Sequence, residues 1–297
     1  MKVKLSKNSC IDWRPDKVDL AFYHEHGWFV TPEILPEEVL RRAEAGIKSY
    51  YEGFRDHNLP DWATRFDWKP EHGNILRLNN YLSLQMDSVR DLISYPLIGC
   101  TAAFLTQSPA IRLYKDSAIV KPSSSGNVGT KVGWHTDRSY WMMCTSDNML
   151  TAWIPFQDSD ASNGAIAVIE KSHNWPITHN LRTFNNQDMI TIEERFALES
   201  EVSKRVLNVR RGQVSFHNCR LLHGSMENKS KKERTVLAVH LQPDENRYRL
   251  FSDDNGKLLS HLNDYLCKKC PDGTPDYCDQ EIFPELWRTV PIKNLTA

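Results

Sequence analysis

Apolar positions along this chain follow one rhythm up to about residue 110 and another beyond it. In "DLAFYHEHGWFVTPEILPEEVLRRAEAGIKSYYEGF" (19–54) the pattern predicts a helix, a break at Gly27, a short extended "WFVT", then a second helix. Leu40, Ala43, Ile47 and Tyr51 keep helical spacing there, and Pro36 stands near the start, where its missing N–H costs little. Residues 55–75 read as a Pro-, Asp- and Trp-rich loop carrying Trp62, Phe66, Asp67 and Trp68. A further helical stretch is predicted over about 86–107, ending near Ser108-Pro109.

Beyond residue 110 the apolar runs shorten and turn signals separate them. "IRLYKDSAIVKP", "DNMLTAWIPFQD", "GAIAVIEKSH", "RVLNVRRGQVSFHN" and "RTVLAVHLQP" alternate with "SSSGN", "DASNG" and "ENKSKK". Many short strands at such intervals predict a mainly β fold with flanking helices, a sandwich or jelly roll. The absence of strand–helix alternation and of a glycine-rich phosphate loop argues against a parallel nucleotide-binding sheet. The chain is expected to form one domain over 1–297: a mostly helical region at 17–110, a β core at 111–245, and an irregular tail at 246–297.

Composition narrows the function classes. Of 297 residues, 40% are hydrophobic and 25% charged, with a net charge of -1, so no global field recruits nucleic acid or an anionic membrane. The basic cluster "KSKKER" (229–234) is short and reads as a solvated turn. No run is long enough to span a membrane, and the first ten residues lack the apolar core of a secretory signal, so the expected location is the cytoplasm. The expected partner is a small-molecule substrate, with the chain a monomer or homodimer. Seven cysteines make no disulfide framework. "CKKCPDGTPDYC", with Cys267, Cys270 and Cys278 after His261, raises a zinc clip; without a second Cys pair, reduced loop cysteines are the preferred reading.

The chemistry concentrates in "KVGWHTDRSYW" (131–141). If this stretch is extended, His135 and Asp137 point to one side and Thr136 to the other. They could be two legs of a metal site, with His223 in "FHNCRLLHGSMEN" as the third, at the end of the alternating run "GQVSFHNC"; His217 is the rival. Two histidines and a carboxylate on one octahedral face suit non-haem Fe(II), leaving positions for a chelating co-substrate and O2. The same ligands suit a zinc hydrolase. Arg234, eleven residues after His223, argues against that, because a hydrolase needs no carboxylate clamp. Ser225 could share the carboxylate. Trp134, Tyr140 and Trp141 are candidates for the substrate mouth, Arg138 for a substrate contact, and Trp68 for a pocket wall. His240 reads as a barrel histidine.

In order, "GWHTD", "TAWIPF", "NGAIAVIEKSH", "LLHGS" and the following Arg resemble the phytanoyl-CoA dioxygenase family, over about residues 20–245. The resemblance implies a double-stranded β-helix of the cupin kind and an oxygenase dependent on Fe(II), 2-oxoglutarate and O2. It implies His135, Asp137 and His223 as iron ligands, Arg234 on the far carboxylate of 2-oxoglutarate with Trp153 beside it, and Ser117 and Arg77 at other co-substrate positions. Succinate and CO2 would form as a C–H bond is hydroxylated or desaturated. Relatives that halogenate lack the carboxylate ligand, so Asp137 implies oxygenation. A small metabolite, such as a natural-product intermediate, is the expected substrate. An acyl-CoA 2-hydroxylase is the alternative within the family, and a non-catalytic ligand-binding barrel the alternative outside it.

Overall fold

The computed structural model describes residues 13–123, 130–176, 181–186, 188–197 and 202–289. Cys10 and all but the first residue of the predicted turn at 123–127 lie outside them. The N-terminal part comprises α1 (Lys17–His26), β1 (Trp28–Val30), α2 (Glu37–Tyr51), β2 (Arg77–Asn80), α3 (Leu82–Gln85), α4 (Asp87–Ile93) and α5 (Pro96–Thr106). Then come β3 (Ala110–Lys121), β4 (Val132–His135), β5 (Leu150–Pro155), β6 (Ala167–Ile169), α6 (Met189–Ala197), β7 (Lys204–Val206), β8 (Ser215–Asn218), β9 (His223–Ser225) and β10 (Arg234–Pro243). The tail adds α7 (Asn263–Leu266) and β11 (Glu285–Arg288).

Local chemistry sets several of these boundaries. Asp16 caps α1 by accepting from Val18 N at 2.7 Å and Asp19 N at 3.1 Å, while Asp19 accepts from Asp16 N at 3.0 Å. Gly27 ends the helix at φ 81°, a left-handed conformation that glycine adopts without strain. The stretch predicted as one helix over 86–107 is two, α4 and α5. Pro96 has no N–H to continue α4 and holds Tyr95 extended. In α2, Tyr50 is buried in the core beside the predicted Leu40, Ala43 and Ile47, and Tyr51 packs half-buried against it.

Among the described residues the strands form two antiparallel sheets, in order β1-β8-β5-β10-β3-β11 with β2 also on β3, and β4-β9-β6-β7. The large sheet draws strands from the helical region and the tail as well as the β core, so the tail is only partly irregular. Alternation along the central strands divides two environments. Leu150, Ala152 and Ile154 of β5, with Leu237, Val239 and Leu241 of β10, join Leu40, Val89, Leu92 and Ile98 in one core beneath the helices. Each such fully buried leucine, isoleucine or valine contributes about 1.5–3 kcal/mol. The opposite set, Thr151, Trp153, Ala238 and His240, faces a cavity on the side of the second sheet. The two sheets and their helical cover are the jelly-roll architecture expected. No helix among the described residues is long and apolar enough to cross a membrane.

Asp67 lies in the 55–75 loop beside Trp68, yet it is 3% exposed and does not face the cavity. Its Oδ1 accepts from Asn80 N at 3.1 Å and Asn80 Nδ2 at 3.0 Å, and Oδ2 accepts from the Tyr50 hydroxyl at 3.3 Å. Burial pushes its carboxyl up to about 6, against the opposing pull of Asn80. The folded chain thus keeps a proton that the unfolded chain releases near pH 4, and stability is lost as pH rises through that window. Asp67→Asn keeps the Oδ1 acceptor and removes the loss. It should gain about 2 kcal/mol on wild type between pH 4 and pH 7, read by denaturant titration at both.

Candidate metal centre

β4 delivers His135 inward, and Thr136 stays extended (φ -117°, ψ 141°), so Asp137 emerges on the same side before a 3-10 turn over Asp137–Tyr140. The third group comes from the neighbouring strand. β9 pairs antiparallel with β4 in a register that sets His223 opposite His135. Gly224 permits that approach: a Cβ there would lie 2.7 Å from the Val132 carbonyl. His223 therefore does not end the alternating run of "GQVSFHNC", as the sequence suggested. β8 stops at Asn218, a turn follows, and β9 belongs to the other sheet. His217, on β8, arrives from the large sheet.

His135, Asp137 and His223 each present one ligand atom within 4.8 Å of the others, the only such group of three or more among the described residues. Cys267, Cys270 and Cys278 form no such group and carry free thiols. Both ligand imidazoles are aimed by their own strands. His135 Nδ1 lies 2.8 Å from the Gly133 carbonyl and His223 Nδ1 2.9 Å from that of Leu221. A carbonyl only accepts, so each Nδ1 carries the proton and each Nε2 turns a lone pair to Asp137 Oδ1, at 3.9 Å and 3.7 Å. The Thr151 hydroxyl donates to Asp137 Oδ2 at 2.5 Å, which leaves Oδ1 facing the imidazoles. That hydroxyl has one proton, so the 2.8 Å contact from His240 Nδ1 is a donation to Thr151 Oγ1.

Burial holds His135 below the ordinary histidine range and His223 well below it, with neighbouring imidazoles adding to the effect on His223. Burial brings His240 down to about 3. Burial raises the Asp137 carboxyl, but His223, the His217 ring and His240 outweigh it and pull it well below the carboxylate range. Neutral imidazoles and an ionised carboxylate are the forms that bind a divalent metal. His217 Nε2 stands 3.5 Å from Asp137 Oδ2, and neither of its ring nitrogens makes a hydrogen bond among the described residues.

The triad opens into a cavity of about 380 Å³. Arg234, Trp153, Ser225 and Ser117 stand on its wall, and so do Tyr140 and Trp141. Arg234 is 1% exposed. Its Nη2 donates to the Gly164 carbonyl at 2.9 Å, Nε and Nη1 have no partner, and the guanidinium lies 5.6 Å from the Trp153 ring centre. Burial lowers it to about 9, so it stays charged at neutral pH.

Four expected contacts are corrected. Arg138 turns away from the cavity to Asp147 and to the carbonyls of Trp141 and Cys144. Trp134 is fully buried, its Nε1 donating to Glu193 at 2.8 Å. Trp68 and Arg77 pack against each other, 4.9 Å from guanidinium to ring, and Arg77 pairs with Glu233 at 3.4 Å; neither lines the cavity. The sequence reading passed over Thr151, Lys115 and Lys121, and took His261 only as a neighbour of the cysteines. Thr151 and Lys115 were within reach, since each stands two residues from a wall residue already singled out, Trp153 and Ser117. Lys121, which donates to the Ser225 and Met226 carbonyls, and His261 carry no such signal.

The profile of the phytanoyl-CoA dioxygenase family (PhyH) matches residues 23–236. The chain belongs to this family. It is 25% identical over 133 residues to the peroxisomal phytanoyl-CoA dioxygenase of Bos taurus, covering 44% of this chain and 40% of that one. It is 26% identical over 178 residues to the probable alpha-ketoglutarate-dependent hypophosphite dioxygenase of Stutzerimonas stutzeri, covering 57% and 58%. The matches thus span about half the length of these curated relatives. Solved structures share the fold of this PhyH chain at lower identity. The epimerase SnoN from nogalamycin biosynthesis, in complex with Fe3+, alpha ketoglutarate and nogalamycin RO, superposes with a TM-score of 0.67 at 19% identity, covering 91% of this chain and 98% of SnoN. EctD from S. alaskensis superposes at 0.62 with 18% identity, covering 83% and 81%.

The donor set fits an Fe(II) ion. Replacing His223 with Ala should abolish stoichiometric Fe(II) binding, whereas His217→Ala should retain it, as read by metal analysis after anaerobic loading. The reverse result would make His217 the third ligand.

Proposed function

We propose that the protein is an oxygenase dependent on Fe(II) and 2-oxoglutarate, hydroxylating or desaturating an unactivated C–H bond of a small metabolite. The observation that carries this reading is Arg234, a buried guanidinium with two unpaired nitrogens on the wall of the cavity that holds the His–Asp–His group. A buried charge with no counter-charge is costly. A carboxylate at Arg234 would accept charge-assisted hydrogen bonds from these nitrogens and supply the missing counter-charge.

His135, Asp137 and His223 would hold the iron. Arg234 would hold the far carboxylate of 2-oxoglutarate, with Trp153, Ser225 and Ser117 on the same wall. Bound with O2, the iron and 2-oxoglutarate supply the oxidising power for C–H cleavage, the co-substrate leaving as succinate and CO2. The chain keeps the ligand imidazoles neutral and aimed, holds Asp137 Oδ2 on Thr151, and presents Trp153, Ile166 and Val132 as walls that exclude water. Asp137 fills the position a halide would need, which favours oxygenation or desaturation over halogenation.

The names of the two curated relatives imply unlike substrates, a fatty acyl thioester and an inorganic anion. Family membership therefore supports the co-substrate chemistry and leaves the substrate to the cavity. At about 380 Å³ the cavity lies near the lower end of the roughly 300–1,000 Å³ range of ligand sites and must hold the co-substrate too. That favours a small metabolite over a whole acyl-CoA.

Arg234→Leu should weaken 2-oxoglutarate binding at least about tenfold, since each lost charge-assisted hydrogen bond is worth about 1.5–3 kcal/mol. Anaerobic titration of the Fe(II)-loaded protein measures it, and unchanged affinity would remove Arg234 from the site. Succinate release, screened over candidate metabolites with Fe(II) and excess chloride, tests the whole reading. The expected product gains one oxygen or loses two hydrogens and contains no chlorine. A protein that binds 2-oxoglutarate but never consumes it would be a ligand-binding barrel instead.

A further inference from the structure

One cationic side chain on the cavity wall has no part in holding the metal or the dicarboxylate. β3 carries a bulge: His240 of β10 pairs with Lys115, but the next residue, Leu241, pairs with Leu113, so Tyr114 is the extra residue. The bulge reverses the alternation of β3. Ile111 and Leu113 face the helical core before it, whereas Lys115, Ser117 and Ile119 face the cavity after it. Bulges re-aim side chains in this way beside functional sites. Without it, Lys115 would share the face of Leu113 and point into apolar packing.

The Lys115 ammonium, so aimed, has no hydrogen-bond or ion-pair partner among the described residues. The nearby carboxylates are engaged elsewhere. Asp116 accepts from Ser83 N at 3.2 Å and from the Ser83 hydroxyl, Asp67 from Asn80 and Tyr50, and Asp137 from Thr151. The groups around Lys115 at this end are donors. His261 Nδ1 accepts from Asn263 N at 3.1 Å, so its proton sits on Nε2, a donor. Ser260 lines the wall, and Arg182 stands at the exposed rim, held by its Nε to the Ser139 carbonyl at 2.7 Å. The His261 ring packs on that of Tyr114, the residue before Lys115, with ring centres 5.4 Å apart, so His261 and Lys115 stand together on the wall, and burial keeps His261 neutral.

We infer that this end of the cavity is an oxyanion subsite, with Lys115 as its anchor and the His261 Nε2–H beside it. The substrate accordingly carries a carboxylate, phosphonate or phosphate group. The substrate assignment rests on the oxygenase reading; the anion site itself does not. Charge balance favours it. With neutral histidines, the charges of Fe(II), Asp137, the two carboxylates of 2-oxoglutarate and Arg234 sum to zero. Lys115 and the adjacent Asp116 lie outside this sum; Asp116 is turned to Ser83 and off the cavity wall, so the ammonium on the wall is left without a contact that an anion would supply. Burial lowers the Lys115 ammonium's pKa against the opposing charges of Asp137, Asp116 and Asp67, none of which pairs with it, so an anion in contact gains what the desolvated ammonium lacks.

The test uses the full chain with saturating 2-oxoglutarate, anaerobic, with and without Fe(II). Acetate and methylphosphonate are the anionic probes, and acetamide and methanesulfonamide their neutral counterparts. Binding is read by calorimetry, and the Fe(II)–2-oxoglutarate absorption band is followed in parallel. The anions should bind and the neutral probes should not, with preference between acetate and methylphosphonate separating a carboxylate from a phosphorus oxyanion. Lys115→Met, which keeps the unbranched stem, should weaken anion binding at least about tenfold, or about 1.4 kcal/mol, while the absorption band stays. Lys115→Arg should restore binding. Equal binding to Lys115→Met, equal binding of neutral probes, or no anion binding to wild type would overturn the inference. A missing absorption band in wild type, with Lys115-dependent anion binding intact, would overturn the oxygenase reading and leave the anion site standing.

Discussion

The barrel interior keeps two opposite charges apart. Asp137 lies among imidazoles, and the Arg234 guanidinium touches one backbone carbonyl and the face of a tryptophan. Placed in contact they would neutralise each other as an ordinary buried ion pair. Each is instead held by neutral groups, Asp137 by the Thr151 hydroxyl and Arg234 by the Gly164 carbonyl. That arrangement is a poor way to gain stability and a good way to receive a cation at one end and an anion at the other. The large sheet positions both: Thr151 and Arg234 sit on β5 and β10, paired neighbours within it.

The His135–Asp137 pair was legible because it depends on short-range geometry, whereas the choice of His223 over His217 came from the family resemblance. His135 and Asp137 are two residues apart in an extended segment, and that alone sends them to one side. The third ligand was legible by its Gly-Ser context and its distance to Arg234, although not by the strand to which it was assigned. Alternation in "GQVSFHNC" describes β8 correctly, but the turn that carries the chain across to the second sheet leaves no periodic signal. The misread neighbours Arg138 and Trp134 flank the ligands in sequence; Trp134 adjoins His135 in β4, where neighbours take opposite faces, and Arg138 is turned away by the 3-10 turn that follows. Being next to a ligand in a strand is thus a reason to expect a residue to point away from it. The helical region was readable in outline, with Pro96 the signal that should have split its last helix.

The parts outside the central β segment complete the vessel. β1 and β2 extend the large sheet from the N-terminal side, and β11 extends it from the tail. The stretch before α7 brings Ser260 and His261 to the cavity wall from a region whose sequence shows no periodicity at all. Contacts made by an irregular segment are set by tertiary packing, such as the Asn263 side chain, which donates to the Tyr114 carbonyl at 2.9 Å and accepts from the Tyr81 hydroxyl at 2.8 Å. Local propensity does not encode them.

The way the two ligand imidazoles are aimed has a consequence for transplanting the centre. Each ring is locked by a carbonyl two residues upstream in its own strand, Gly133 for His135 and Leu221 for His223. Orientation is therefore carried within two tripeptides, "GWH" and "LLH", and needs nothing from the rest of the barrel. For the two imidazoles a host scaffold must supply register: two antiparallel strands that set these tripeptides side by side, with no side chain at the residue after the second histidine to hold them apart; for Asp137 it must also supply a hydroxyl placed as that of Thr151 is. A graft onto an unrelated pair of strands would inherit the aim of its imidazoles for free and would succeed or fail on the spacing between backbones and on that hydroxyl.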